Sequence, residues 1–244
     1  MHEMKGIWVI TRRELSSFFD SLIAYVMIVI FLGLSGFFTW LTTSNIFAMG
    51  QADLNIFFGI SYWTLFFFIP AISMRTIAEE VRGGTIELLS TKAISDWQIV
   101  LGKFLSCLIL VAVALACTFS YYFSLTRLGS VDHGAIIGGY LGLLLLSSMY
   151  ISIGIFASSL SNNQIVAFLI ALFIGIFFHI LFQLMAGGST GQVGRTLDYL
   201  SARTHYESIS RGVFDTRDLV YFGSVIFMGL LLARTMLSKR NWHK

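Results

Sequence analysis

The sequence predicts an all-α integral membrane protein: six transmembrane helices, an amphipathic helix before the first, and two long polar insertions. Three observations carry this. Hydrophobic residues make up 56% of the 244 positions and charged residues only 12%, about half the charge of a soluble domain. The mean hydropathy is +0.80. The apolar residues also gather into runs of the roughly 20 residues that a helix needs to cross a ~30 Å hydrocarbon core.

The elements follow in order. Residues 4–20 read as an elbow helix at the membrane interface, with Met4, Ile7, Trp8, Leu15, Phe18 and Phe19 at helical spacing and Lys5, Arg12, Arg13 and Glu14 polar. Arg12 and Arg13 suit lipid phosphates. Span one covers 22–41 and, after a polar link, span two covers 54–74. Pro70, the only proline, removes a backbone donor and predicts a kink near the end of span two.

The longest charged passage between two apolar runs comes next, residues 75–103, with a loop over 75–96. Gly83-Gly84 breaks the preceding helix. Residues 85–91 suit a short helix with Ile86, Leu88 and Leu89 apolar and Glu87 charged. Ser95-Asp96-Trp97-Gln98 is a capping box that opens span three, 97–126. Two spans normally need only a few linking residues. So long a segment fits either a docking surface for a water-soluble partner or an amphipathic helix resting on headgroups.

Residues 134–194 hold no Asp, Glu, Lys or Arg and are too many for one helix. Ser161-Asn162-Asn163-Gln164 reads as a capping box that divides them into span four, 135–160, and span five, 165–186. Gly187-Gly188 ends span five. A second polar insertion, 187–216, carries the box Thr204-His205-Tyr206-Glu207 and a stop at Gly212, which predicts a short helix over 205–211. Asp215 or Thr216 caps span six, 217–237. Gly33, Gly36 and Gly138-x-x-x-Gly142 allow close helix approach.

Six spans put the N-terminus, the 75–103 passage, the Ser161 turn and the C-terminus on one face. Lys5, Arg12, Arg13, Arg75, Arg82, Lys92, Lys103, Arg234, Lys239, Arg240 and Lys244 lie there, against Arg127, Arg195, Arg203, Arg211 and Arg217 opposite. The positive-inside rule places the first face in the cytoplasm, with both termini. The net charge of +3 is too small to suggest nucleic acid. Cys107 and Cys117 stand ~15 Å apart along one helix, too far to bridge, and read as small apolar fillers. No cleavable signal peptide is expected, because the first apolar run is already as long as a span.

No Gly-x-x-x-x-Gly-Lys-Ser/Thr cradle occurs, so the chain is not expected to hydrolyse ATP. No cluster suggests a metal, and no catalytic set stands out. His179 and Gln183, one turn apart in span five, are the conspicuous polar pair inside a span. They line a pathway or pack inside the bundle; a proton relay would recruit membrane Asp or Glu.

Pro70 to Arg75, followed by Ala78-Glu79-Glu80-Val81-Arg82-Gly83-Gly84-Thr85-Ile86-Glu87-Leu88-Leu89 and by Ser95 to Lys103, resembles the cytoplasmic loop of ABC-2 type transporter permeases. The nearest likeness is the gliding-motility branch, with the nitrous-oxide-reductase maturation permeases as a cousin. Phe18 to Tyr25 and Tyr199 to Phe222 continue the resemblance. Ala93 and Leu22 stand where relatives commonly have Pro.

The resemblance implies a coupling helix seated in a cleft of a separate ATPase subunit. By it, Glu79, Glu80, Arg82, Gly83, Gly84, Thr85, Ile86, Glu87, Leu88, Leu89 and Thr91 form the coupling set. Trp8, Arg12, Arg13 and Phe18 mark the elbow helix. It implies short helices that roof the outer end, a second permease copy, two ATPase subunits holding ATP and Mg, and a membrane partner with a large periplasmic domain. The expected function is ATP-driven export or force transmission across a bacterial inner membrane. Two other classes stand beside it: an ATPase-independent secondary transporter or channel, which calls for charged groups at midmembrane, and an interfacial membrane enzyme, which calls for a convergent His/Asp/Glu set.

Overall fold

A computed structural model describes residues 2–42, 53–84 and 95–242. Its described part is helical throughout. In chain order the helices are α1 (His2–Asp20), α2 (Leu22–Trp40), α3 (Asn55–Ser73), α4 (Arg75–Arg82), α5 (Asp96–Cys117), α6 (Phe119–Leu128), α7 (His133–Leu160), α8 (Gln164–Ile176), a π-helical turn (Phe177–Leu181), α9 (Phe182–Gly188), α10 (Gly191–Leu200), α11 (Ala202–Ser210) and α12 (Thr216–Trp242). Among the described residues six stretches are long and apolar enough to cross a membrane: Leu22–Trp40, Asn55–Arg82, Asp96–Leu128, His133–Leu160, Gln164–Gly188 and Thr216–Lys239.

The bundle is organised around α7. Its apolar window is 78% buried, against 28% for α2, 22% for span five and 28% for α12. Lipid tails supply no hydrophobic drive between helices, so close packing at small residues must hold them together. The glycines of α7 provide it. A Cβ on Gly138 would strike the Ile209 carbonyl, and one on Gly139 the Phe58 ring. Gly142 lies under Tyr206, Gly154 meets Ser73, and Gly229 of α12 meets Ser152. Helices α3, α11 and α12 therefore all touch the α7 backbone. Of the other pair, Gly36 accommodates Tyr121 whereas Gly33 faces open space and brings no helix closer.

The break after Pro70 has an identifiable cause. Proline cannot donate to the carbonyl four residues back, and α3 stops at Ser73, one turn later. The chain resumes at Arg75 as α4, and Ser158 of α7 serves the backbone groups around this later break at Met74. Its hydroxyl accepts from the Ile77 and Ala78 amides at 3.0 and 2.9 Å and donates to the Met74 carbonyl at 2.8 Å. A side chain from another helix thus caps α4.

Several local expectations change. The Ser95 capping box forms as read, with both reciprocal bonds. At the Ser161 turn, however, Asn163 is the cap of α8 and accepts from Ile165, while Ser161 supports Asn163. Thr204 caps nothing. Its hydroxyl bonds the Asp198 carboxylate, because α11 has already begun at Ala202. The second insertion holds two helices, α10 and α11, as the resemblance implied, whereas the capping signals alone gave one; α10 starts after Thr190 without a side-chain cap bond. Span three breaks at Thr118, whose hydroxyl turns back to Leu115 and meets the Tyr140 hydroxyl. The cysteines are free, Cys107 buried and Cys117 exposed.

Candidate coupling site at the root of the polar loop

Helix α1 packs against the start of α5, and the contact is set by what is missing. A Cβ on Gly102 would come within 2.7 Å of the Ile10 side chain and 3.2 Å of the Ile7 carbonyl. Only glycine lets the two backbones come this close. The Thr11 hydroxyl crosses the gap to the Gly102 carbonyl at 3.2 Å. The face used differs from the predicted apolar face. Ile10, Thr11 and Phe18 are buried, whereas Met4 and Trp8 are 76% and 59% exposed. Trp8 and Arg12 therefore point away from the bundle.

Beneath α1 lies a four-residue ionic cluster. The Lys103 ammonium is fully buried. It reaches Glu80 Oε2 at 2.9 Å and Glu14 Oε1 at 3.2 Å, and donates to the Thr76 carbonyl at 2.5 Å. Arg13 closes the ring, with Nη2 at 2.6 Å from both Glu14 Oε1 and Glu80 Oε1. Two cations and two carboxylates balance, which a buried cluster requires. Burial pushes the Glu14 carboxyl up, but the Lys103 ammonium and the Arg13 guanidinium more than offset this and hold it below the usual carboxylate range. Burial likewise lowers Arg13, and the two carboxylates reverse it, so the guanidinium ends raised. Alongside, Arg75 bonds Ser17, pairs with Glu79 at 3.8 Å and lies over the Phe18 ring.

Helix α4 is thus gripped by α7 through Ser158, by α5 through Lys103, and by α1 through Arg13, Ser17 and Phe18. It leads directly into the polar loop: Arg82, Gly83 and Gly84 are exposed at its end, and Gly84 takes φ +67°. Of the expected coupling set, Glu80 sits in the cluster and Glu79 beside it. Thr85, Ile86, Glu87, Leu88, Leu89 and Thr91 lie outside the described residues. Of the elbow set, Arg13 and Phe18 join the site while Trp8 and Arg12 do not. The sequence reading missed Glu14, Lys103, Thr76 and Ser158 as partners. Lys103 alone left a signal, as a cation seven residues inside a capped span.

His179 and Gln183 are elsewhere. The π turn carries His179 inward, where it is 1% exposed. Its ring stacks between Tyr62 and Phe66 at 4.1 and 4.3 Å, and Nδ1 meets the Tyr150 hydroxyl at 2.7 Å. Gln183 lies on the lip of a cleft of about 420 Å³ beside Arg195 and Asp198. Among the described residues no group of three His, Cys, Asp or Glu is placed to hold a metal.

Comparison with known proteins gives one family. The model described as "ABC-2 family transporter protein" matches residues 37–238, most of the chain, taking in Glu80, Lys103 and Ser158 and leaving out α1. No curated protein matches.

Proposed function

The chain belongs to the ABC-2 transporter family, a family of multi-pass membrane permease subunits, and we propose that it couples ATP hydrolysis by a separate cytosolic ATPase to movement across the bacterial inner membrane. The observation that carries this is the grip on α4. A helix fixed to three others and ending in an exposed Gly-Gly turn converts displacement of the following loop into displacement of the bundle. Residues 85–91 are the docking segment, with Ile86, Leu88 and Leu89 filling an apolar cleft and Glu79, Arg82 and Glu87 making polar contacts. ATP and Mg stay on the partner, and this chain supplies no catalytic group.

Two permease copies with two ATPase subunits form the working unit. Helix α2, span five and α12 leave most of their apolar surface uncovered, as a second copy and lipid require. Both termini lie in the cytoplasm, and α10 and α11 roof the outer end. The resemblance of residues 75–103 to the gliding-motility branch favours an envelope machine over a small-molecule pump, with a membrane partner bearing a large periplasmic domain.

The test is to isolate the complex from native membranes with Leu88→Asp in the loop. Loss of the nucleotide-binding subunit and of permease-dependent ATPase activity is expected. Unchanged association together with unchanged coupled activity refutes the docking assignment.

A further inference from the structure

At the end of the bundle opposite the ionic cluster, α11 packs on α7 and α10 on α9 and α11, and one imidazole ties both to α12. His205 and Asp218 are 4% and 6% exposed. Nδ1 of His205 stands 2.6 Å from Asp218 Oδ1, and Nε2 stands 2.8 Å from the Tyr199 carbonyl. A carbonyl oxygen only accepts, so Nε2 must carry a hydrogen. Nδ1 faces a carboxylate at the same time, so the two side chains also hold a proton between them. The Tyr221 ring covers the imidazole at 4.0 Å, and its hydroxyl donates to the Leu200 carbonyl at 2.7 Å. One ring therefore joins the end of α10, the body of α11 and the first turn of α12.

Nearby charged groups are engaged with other partners. On α10, Asp198 accepts from Thr204. On α11, Arg203 pairs with Glu207 at 2.6 Å. On α12, Asp215 accepts from the Arg217 amide. The Tyr199 ring of α10 meets the imidazole edge-on at 5.0 Å, and Tyr206 of α11 turns to Tyr62 of α3 at 5.1 Å. Among the described residues His205 alone forms an ion pair with Asp218, and Asp218 Oδ2 has no hydrogen-bond partner.

We infer that His205 and Asp218 form a pH-sensitive clasp on the α10–α11 cap, closed while they share the proton and loosened once it is lost. Deprotonation turns the Nδ1 lone pair towards the carboxylate and strands a buried negative charge, which a protein avoids by opening. Histidine is the side chain whose charge ordinarily changes between about pH 5 and about pH 8. The inference rests on the cap alone and stands whether or not the loop at 85–91 docks an ATPase.

The test uses the full chain in lipid nanodiscs. Hydrogen exchange over residues 196–212 is compared at about pH 6 and about pH 8 after correction for intrinsic rates. Protection is expected to fall on the order of tenfold at the higher pH, and Asp218→Asn is expected to abolish the difference. Equal protection at both pH values, or a difference that persists in Asp218→Asn, overturns the clasp. Should that variant not fold, nitrogen NMR of the histidine rings in the unmodified chain decides, with His205→Gln assigning the signal. Both ring nitrogens protonated at the lower pH supports the clasp, and a neutral ring there overturns it.

Discussion

Lys103 is a full positive charge inside a helix that is otherwise apolar for several turns. Its burial is tolerable because Glu14, Glu80 and the Thr76 carbonyl take its three hydrogens. Removing one partner from a buried ion set costs far more than the intact set contributes, about 3–5 kcal/mol. Lys103→Met should therefore lower the thermal midpoint of the purified protein sharply. The double variant Lys103→Met/Glu80→Gln should recover part of the loss, since one stranded carboxylate is gone. Acid should act through Glu14. Its carboxyl is held below the ordinary 4.5 in the fold, so the unfolded chain takes up that proton first. The cluster's contribution is complete above about pH 4.5 and is lost as pH falls through the depressed folded value. A midpoint that is flat from neutral pH down to about 5 and declines below it is expected. Glu14→Gln should remove its share of that decline.

Elements were legible wherever composition alone fixes them. Runs of twenty apolar residues have one outcome in a bilayer, so all six spans can be read from the sequence, and the Ser95 box marks the start of α5. What the sequence did not disclose was partnership. The face of α1 that meets α5 is chosen by Gly102 and Ile10, a pairing between residues over ninety positions apart, and no periodicity within α1 reveals it. Trp8 and Met4 share the helical spacing of Phe18, yet they face outward while Phe18 is buried. Ser158 as the cap of α4 and Lys103 as the centre of the cluster are equally long-range. Close packing gives the matching prediction. Gly138→Ala must push against the Ile209 carbonyl, backbone that cannot swing away, and overpacking of this kind costs about 1–3 kcal/mol. Hydrogen exchange should show α11 released. Gly33→Ala meets nothing within 4 Å and should be neutral or stabilising by about 0.5–1 kcal/mol, because it removes backbone freedom from a helix.

On the scale of the molecule, the parts divide by exposure. Helix α7 sits inside and packs against α3, α4, α5, α8, α11 and α12, whereas α2, span five and α12 leave most of their apolar surface uncovered. A force applied to α4 reaches α7 through Ser158 and α5 through Lys103, and the α10–α11 cap rests on the opposite end of α7 at Gly138 and Gly142. The two ends of the bundle are thus joined by one packed helix, so work received at one can move the other. The central claim is that this work enters at the loop between spans two and three. The most direct measurement places a single cysteine at Leu88, with Cys107 and Cys117 replaced by serine, in the assembled native-membrane complex. Cross-linking to the nucleotide-binding subunit, with no labelling by an impermeant thiol reagent added from outside the cell, is the predicted result. Labelling of position 88 from outside, or a cross-linked product containing only lipid while the ATPase remains bound, would contradict it.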